Sequence, residues 1–270
     1  MLLDNNNCET ASITFRFQDK IATSLPYCPY AGMELNSLLS PDEMLRFIDQ
    51  ITHTLAQSDI ERIIIKQCPE FIDPRMDKLI KTTLLQAGFE ISSSETNQHI
   101  SLQNGQQHLI HKMEHRKLKK CQESGFYFSK SDPSQLEYVH RFISKCRRQQ
   151  GLTINVKMEV LKNLFEKVEG AYELFTVKDT TGNIVAGTVT VRVSKAVVYN
   201  YLPAFDRKYI KTSPMVMLYN GLYEYFGAID CKVLDLGISS INGTIQNGLF
   251  QFKKRMGAEA SMRHTFIKNI

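Results

Sequence analysis

Residues 233–267 read VLDLGISSINGTIQNGLFQFKKRMGAEASMRHTFI. Val233 to Leu236 is a short apolar run that ends at Asp235 and Gly237, so it reads as a buried strand stopping at a turn. A polar loop follows, in which Asn242 or Thr244 is expected to cap a helix. Ile245, Leu249, Phe252 and Met256 recur at helical spacing, and Gly257 suits the left-handed position that closes a helix. Glu259 to Ile267 reads as a returning strand. The order is strand, loop, helix, strand. Parallel sheets gather ligands beyond the carboxyl ends of their strands, which places Asp235, Asn247 and Lys253 near an expected site.

Working outward, the bulk properties suit a globular protein. The chain has 270 residues, enough for one large domain or two ordinary ones, with 43% hydrophobic and 23% charged residues. No apolar run is long enough to span a bilayer, and MLLDNNNCET lacks the basic and apolar parts of a signal peptide, so a cytoplasmic location is expected. The net charge of +5 suits anionic ligands such as nucleotides and permits an RNA partner. Six cysteines, at 8, 28, 68, 121, 146 and 231, form no CxxC pair and fit no zinc spacing, so reduced, mostly buried thiols are expected.

In the first part, Ile13 to Phe17 alternates like a strand. Ser40-Pro41-Asp42-Glu43 starts a helix whose buried face is Met44, Phe47, Ile48, Ile51 and Leu55. Arg62 to Lys66 (RIIIK) is a β-branched strand, and a second helix runs from Pro74 to Ala87, closed by Gly88. Phe89 to Ser93 and His99 to Leu102 read as two strands joined by a polar turn. A basic helix is expected over Gln107 to Ser124, with Leu109, Met113, Leu118 and Cys121 inward. Asp132-Pro133 opens another helix with Leu136, Val139, Phe142, Ile143 and Cys146 inward, and Met158 to Val168 adds one more. Tyr172 to Val177 and Ile184 to Val193 are strands joined by a turn at Asp179 to Asn183. A further strand is expected over Ala196 to Leu202, and Thr212-Ser213-Pro214 opens the next helix.

From Tyr172 onward, this order carries the segments VAGTVTV (185–191), VVYNYLP (197–203), DLG (235–237) and NGLFQFKKRMGA (247–258). In that order and text the chain resembles the GNAT acyltransferase superfamily, and within it the FemABX peptidyltransferase-related branch. The first part is similar too, through PYAG (29–32), RIIIK (62–66), LLQAGFE (84–90) and ESGF (123–126). The resemblance implies an α/β (α+β) protein of two tandem GNAT-like domains, each a mixed, mostly antiparallel sheet flanked by helices. The expected domains are 1–106 and 107–270. It also implies an N-acyltransferase that moves an acyl or aminoacyl group from acyl-CoA or aminoacyl-tRNA, as co-substrate, to a small-molecule or peptide amine. No tightly bound cofactor and no metal are expected, and tRNA is a possible partner.

The resemblance places the donor's pantetheine between the strands at Ala196–Leu202 and Val233–Leu236, and its pyrophosphate at the start of the next helix. The usual glycine-rich loop there is replaced by Asp206-Arg207-Lys208-Tyr209-Ile210-Lys211-Thr212-Ser213. Arg207, Lys208, Lys211, Thr212 and Ser213 are the residues left to bind an anion. Lys253 matches the family's FK position, which implies phosphate binding or acyl transfer; its plain alternative is a solvated helix lysine beside Lys254 and Arg255. Asp235 is a candidate to accept a proton from, or bind, the attacking amine, and equally a turn former. Tyr199 and Tyr201 share one strand face and are candidates for the acceptor cleft, Tyr199 as a general acid; core packing is the alternative. Asn247 is a candidate to orient substrate. His108, His111 and His115 share a helix face, but the lysines and arginines around them oppose a cation, so the stripe reads as a solvated basic surface. A non-catalytic binding protein that keeps the fold is the second functional reading.

Overall fold

The computed structural model describes residues 1–3, 9–25, 28, 30–37, 39–102, 110–152 and 156–270. Cys8, His108, Leu109 and the domain boundary expected at 106/107 lie outside the described residues.

The chain begins with β1 (Leu2–Leu3), β2 (Glu9–Ile13), β3 (Phe15–Gln18), β4 (Ile21–Ser24), β5 (Met33–Leu35), α1 (Pro41–Ala56), β6 (Arg62–Lys66), α2 (Pro74–Gln86) and β7 (Glu90–Ser101). It continues with α3 (Lys112–Glu123), β8 (Tyr127–Ser131), α4 (Leu136–Arg148), α5 (Met158–Lys167), β9 (Tyr172–Lys178), β10 (Ile184–Arg192), β11 (Val197–Asn200), β12 (Ala204–Phe205) and α6 (Pro214–Ala228). It closes with β13 (Val233–Ile238), β14 (Ser240–Ile241), β15 (Thr244–Ile245), α7 (Asn247–Arg255) and β16 (Glu259–Asn269). These elements form two compact units. One takes residues 1–97, 240–245 and 261–270, and the other takes 98–239 and 246–260.

In the first unit, β3 and β4 pair antiparallel, β4 and β6 parallel, and β6 and β16 antiparallel. The core gathers Phe47 and Ile48 of α1, Ile63 and Ile65 of β6, Ile80 and Leu84 of α2, and Phe266 of β16. α1 starts as its sequence predicts. The Ser40 hydroxyl accepts from the Glu43 amide at 3.3 Å, and the Ser40 amide donates to the Glu43 carboxylate at 2.8 Å. The polar stretch 94–98, expected as a turn, is part of β7. Its polar groups are used in place: Ser94 Oγ lies 2.8 Å from His264 Nδ1, and the Thr96 amide donates to Ser240 Oγ at 2.7 Å.

In the second unit, the strand order is β13-β11-β10-β9-β8, and all these pairs are antiparallel except β11 with β13. Alternate residues of β9 and β10 feed two cores, which is why β10 is buried through most of its length. Phe175, Val177, Val185 and Ala186 pack with Leu218, Leu222 and Phe226 of α6. Leu174, Ile184 and Val189 pack with Val139 and Ile143 of α4 and Leu161 of α5. α6 is buried at Val216, Met217, Leu218, Tyr219, Leu222 and Phe226, so it is a core helix and not a surface one.

Two expectations are corrected. Residues 240–245 do not lead into the helix; they form a short hairpin, with Asn242 and Gly243 at positive φ in its turn. Asn-Gly is the preferred pair for such a turn, and this signal outweighs the capping propensity assigned to Asn242 and Thr244. α7 therefore starts at Asn247, and Ile245 is exposed. The basic helix starts at Lys112, with His111 accepting from the Met113 amide at 3.2 Å. Its buried residues are Glu114 and Cys121, while Met113 is exposed, so a paired acid occupies the inner face where an apolar residue was expected.

Candidate active site

The parallel pair β11–β13 is in register from Val197–Val233 to Tyr199–Asp235. Beyond that point both chains line one cavity of about 320 Å³, walled by Tyr199 to Tyr201, Leu236 to Ile238, Met215 and Tyr219 of α6, Leu249 and Lys253 of α7, and Arg147 of α4. The strands open where Gly237 takes φ +74°, a conformation that costs glycine little. A Cβ on Gly237 would sit 3.1 Å from the Tyr199 ring and hydroxyl, so the missing side chain also makes room for that tyrosine.

Lys253 is 2% exposed, which removes the solvated-lysine alternative. Its Nζ donates to the carbonyls of Gly237 at 2.8 Å and Ile238 at 2.9 Å, which lie past the Tyr199–Asp235 pair that ends the β11 pairing. An ammonium has three donors, so this clamp uses two and leaves one position. Burial pushes the Lys253 pKa down to about 7, with the Asp235 carboxylate pulling the other way.

Asp235 is 1% exposed, and its Oδ1 accepts from the Gly237 amide at 2.8 Å. It therefore forms the turn, and it supplies the negative charge beside Lys253. It is not among the cavity's walls. Tyr199 and Tyr201 both line the cavity, with ring centroids 5.8 Å apart. Asn200 is buried between them in sequence and accepts from Thr188 Oγ1 at 2.6 Å. Asn247 is exposed at the start of α7 and is not among the walls.

Arg207, Lys208, Lys211, Thr212 and Ser213 also lie outside the cavity walls. Asp206 caps a short 3₁₀ turn there, with Oδ1 accepting from the Lys208 amide at 3.0 Å. The amides of Tyr209, Ile210, Thr212 and Ser213 each donate to a carbonyl within the same loop. Five amides of the segment are thus already used where a glycine-rich loop would offer them to a phosphate.

α7 is held by contacts at both ends. Gln98 Nε2 donates to the Phe250 carbonyl at 3.2 Å, and Ser239 Oγ donates to Gln98 Oε1 at 2.6 Å. At the other end Arg255 Nε donates to Glu114 Oε1 at 2.9 Å, and Lys117 Nζ lies 2.9 Å from Glu114 Oε2. The Glu114 side chain is fully buried. Among the described residues, no group of three His, Cys, Asp or Glu is placed to hold a metal.

Two cavity residues escaped the sequence reading. Tyr219 sits in the mostly apolar α6. Arg147 is four residues after Ile143 and eight after Val139, so it continues the buried stripe of α4; a charge inside an apolar stripe was the available signal.

An α/β unit in which one parallel strand pair opens beside a buried helix defines a GNAT-type acyltransferase fold. Residues 111–254, more than half of the chain, match the family described as Acetyltransferase (GNAT) domain, and the chain belongs to that family. No curated protein matches the chain. Among solved structures it is similar to FemX, at 13% identity over 95% of this chain and 87% of that one, with a TM-score of 0.66. It is similar to L-PGS from Bacillus licheniformis, at 12% identity over 98% and 82% of the two chains, with a TM-score of 0.67. It is also similar to a tandem GNAT protein from the clavulanic acid biosynthesis pathway, at 10% identity over 89% and 75%, with a TM-score of 0.50. These identities establish likeness of fold alone. They agree with the tandem, FemABX-like GNAT architecture that the sequence resembles. No helix among the described residues is long and apolar enough to cross a membrane.

Proposed function

We propose that the chain is an N-acyltransferase in which a primary amine attacks an activated acyl or aminoacyl carbonyl beside Lys253. The observation that carries this reading is the buried lysine clamp at the mouth of the opened strands. Neutral Lys253 spends both N–H groups on the two carbonyls, and its lone pair then occupies the remaining position. There it takes a proton from the attacking ammonium. Once charged, the same position carries an N–H that stabilises the oxyanion of the tetrahedral intermediate. Collapse of that intermediate breaks the ester or thioester bond; the proton on Lys253 passes to the leaving oxygen or sulfur, and the second amine proton is lost to solvent as the amide forms. Asp235 supports the charged state, Tyr199 and Tyr201 shape the acceptor cleft, and no enzyme nucleophile is required.

The used amides of residues 208–213 favour an ester donor, aminoacyl-tRNA, over acyl-CoA, because a CoA pyrophosphate finds few free N–H groups there. Arg207, Lys208 and Lys211 are exposed and suit RNA phosphate, and Asn247 lies where substrate would approach α7. The fold shared with FemX and with L-PGS is in keeping with this choice. The test is thermal stability with coenzyme A, acetyl-CoA and a charged tRNA. A ligand at about a hundred times its dissociation constant stabilises by roughly 2.7 kcal/mol. Charged tRNA is expected to raise Tm and coenzyme A to leave it unchanged; a clear shift with coenzyme A reverses the donor assignment. Silence from all three favours a non-catalytic binding protein, the reading that the same used amides also support.

A further inference from the structure

Among the described residues that wall the cavity, Lys253 and Arg147 are the two basic ones and none is acidic. Lys253 has the two carbonyls and the nearby Asp235 carboxylate. Among the described residues, the Arg147 Nε is buried without a hydrogen bond and its guanidinium forms no ion pair. The groups that face it are the phenols of Tyr199, Tyr201 and Tyr219. Burial lowers the Arg147 pKa, yet a guanidinium starts so high that it stays charged. Lysine relieves burial by losing its proton, and arginine cannot. Arg147 is partly buried, with its Nε enclosed; a half-buried charge without a counter-ion is costly, and its stripe neighbours Ile143 and Cys146 are apolar. The charge is therefore unexplained by the fold.

Resting on the transfer site proposed above, we infer that Arg147 binds an anionic oxygen group of the acceptor, so the acceptor is an amine that also carries a carboxylate or a phosphate. The planar guanidinium matches either group through two parallel hydrogen bonds. The surrounding tyrosines supply flat apolar walls and further hydroxyl donors. With Lys253 and Arg147 in one cavity, a single molecule places its amine at the lysine and its anion at the arginine.

The test uses calorimetric titration with amines of three chain lengths, each as the carboxylate, the phosphate and the alcohol: 4-aminobutyrate, 6-aminohexanoate and 8-aminooctanoate with their aminoalkyl phosphate and amino alcohol counterparts. For at least one length, an anionic member is expected to bind about ten-fold tighter than the alcohol, the size of one charge-assisted hydrogen bond. Which anion wins names the substrate's group. Arg147→Met is expected to erase that preference while holding or raising the apo Tm, and Arg147→Gln serves if the methionine variant fails to fold. Lys253→Met is expected to keep the preference and lose transfer. Equal binding of all members at every length, or a preference that survives Arg147→Met, overturns the inference. Transfer that survives Lys253→Met instead overturns the catalytic role of Lys253 and leaves the anion site standing.

Discussion

Lys253 Nζ donates to the carbonyl of Gly237 at 2.8 Å, so a helix side chain grips a strand just past the end of its pairing with β11. The same ammonium also holds the Ile238 carbonyl. Strand opening and the candidate catalytic group are thus one feature. The lysine that grips β13 beyond its pairing with β11 also walls the cleft.

Lys253 imposes a pH dependence on stability. Its pKa is about 7 in the fold and near the ordinary lysine value of 10.5 in the unfolded chain. Between those values the unfolded chain binds the extra proton, so stability rises with pH. Lys253→Met removes this rise and takes the lysine donor from the buried Gly237 carbonyl, at roughly 1–3 kcal/mol, and from the part-buried Ile238 carbonyl at less. The gap in Tm between wild type and variant should widen from pH 6 to pH 9. A constant gap would show that the lysine is not desolvated.

Gly237→Ala should damage the site and the fold together. The residue must adopt φ +74°, and its Cβ would press on Tyr199. The cost is expected at about 1–3 kcal/mol by denaturant unfolding. Tyr199→Phe removes the hydroxyl but leaves the ring, so the double variant should stay destabilised.

Glu114 anchors α7 through Arg255. Glu114→Ala strands two cations beside a buried gap and is expected to cost about 3 kcal/mol. Transfer activity should fall as well, because α7 carries Lys253. Lys119→Ala, at the exposed pair with Glu123 on the same helix, is the control and should cost well under 1 kcal/mol.

His264 offers a pH probe in the first unit. It lies 2.8 Å from Ser94 Oγ through Nδ1 and 3.2 Å from Lys81 Nζ through Nε2. Burial first, and then Lys81, lowers its pKa. The neutral form is therefore the folded one, and its contribution is present above the unfolded value of 6.5 and lost as pH falls through the folded pKa. Acid unfolding of His264→Gln should lack that loss.

Much of this architecture was readable where local chemistry and burial agree. Ser40 and Glu43 form the capping box that their spacing announces, and RIIIK at 62–66 is a strand because its β-branched residues are buried on alternate positions. Misreadings fell where tertiary pairing overrides composition. The stretch 94–98 looks like a turn until neighbouring residues use its polar groups, and Asn242-Gly243 signals a hairpin that a helix-first reading passes over. Lys253 was legible through its FK context, but its burial was not, since Lys254 and Arg255 beside it suggest a solvated run. Arg147 was hidden for the opposite reason: a terminal helix arginine normally answers the helix dipole, and only the packing of α4 shows that this one turns to the cavity.

The most direct measurement is the pH-rate profile of single-turnover transfer from charged tRNA to an amine, in wild type and Lys253→Ala, read by mass spectrometry of the product. The account expects transfer in wild type that rises through pH 7, as the lysine loses its proton, and a loss of about 100-fold or more in the variant without loss of fold. Unchanged turnover in Lys253→Ala, with the same pH profile, would contradict it.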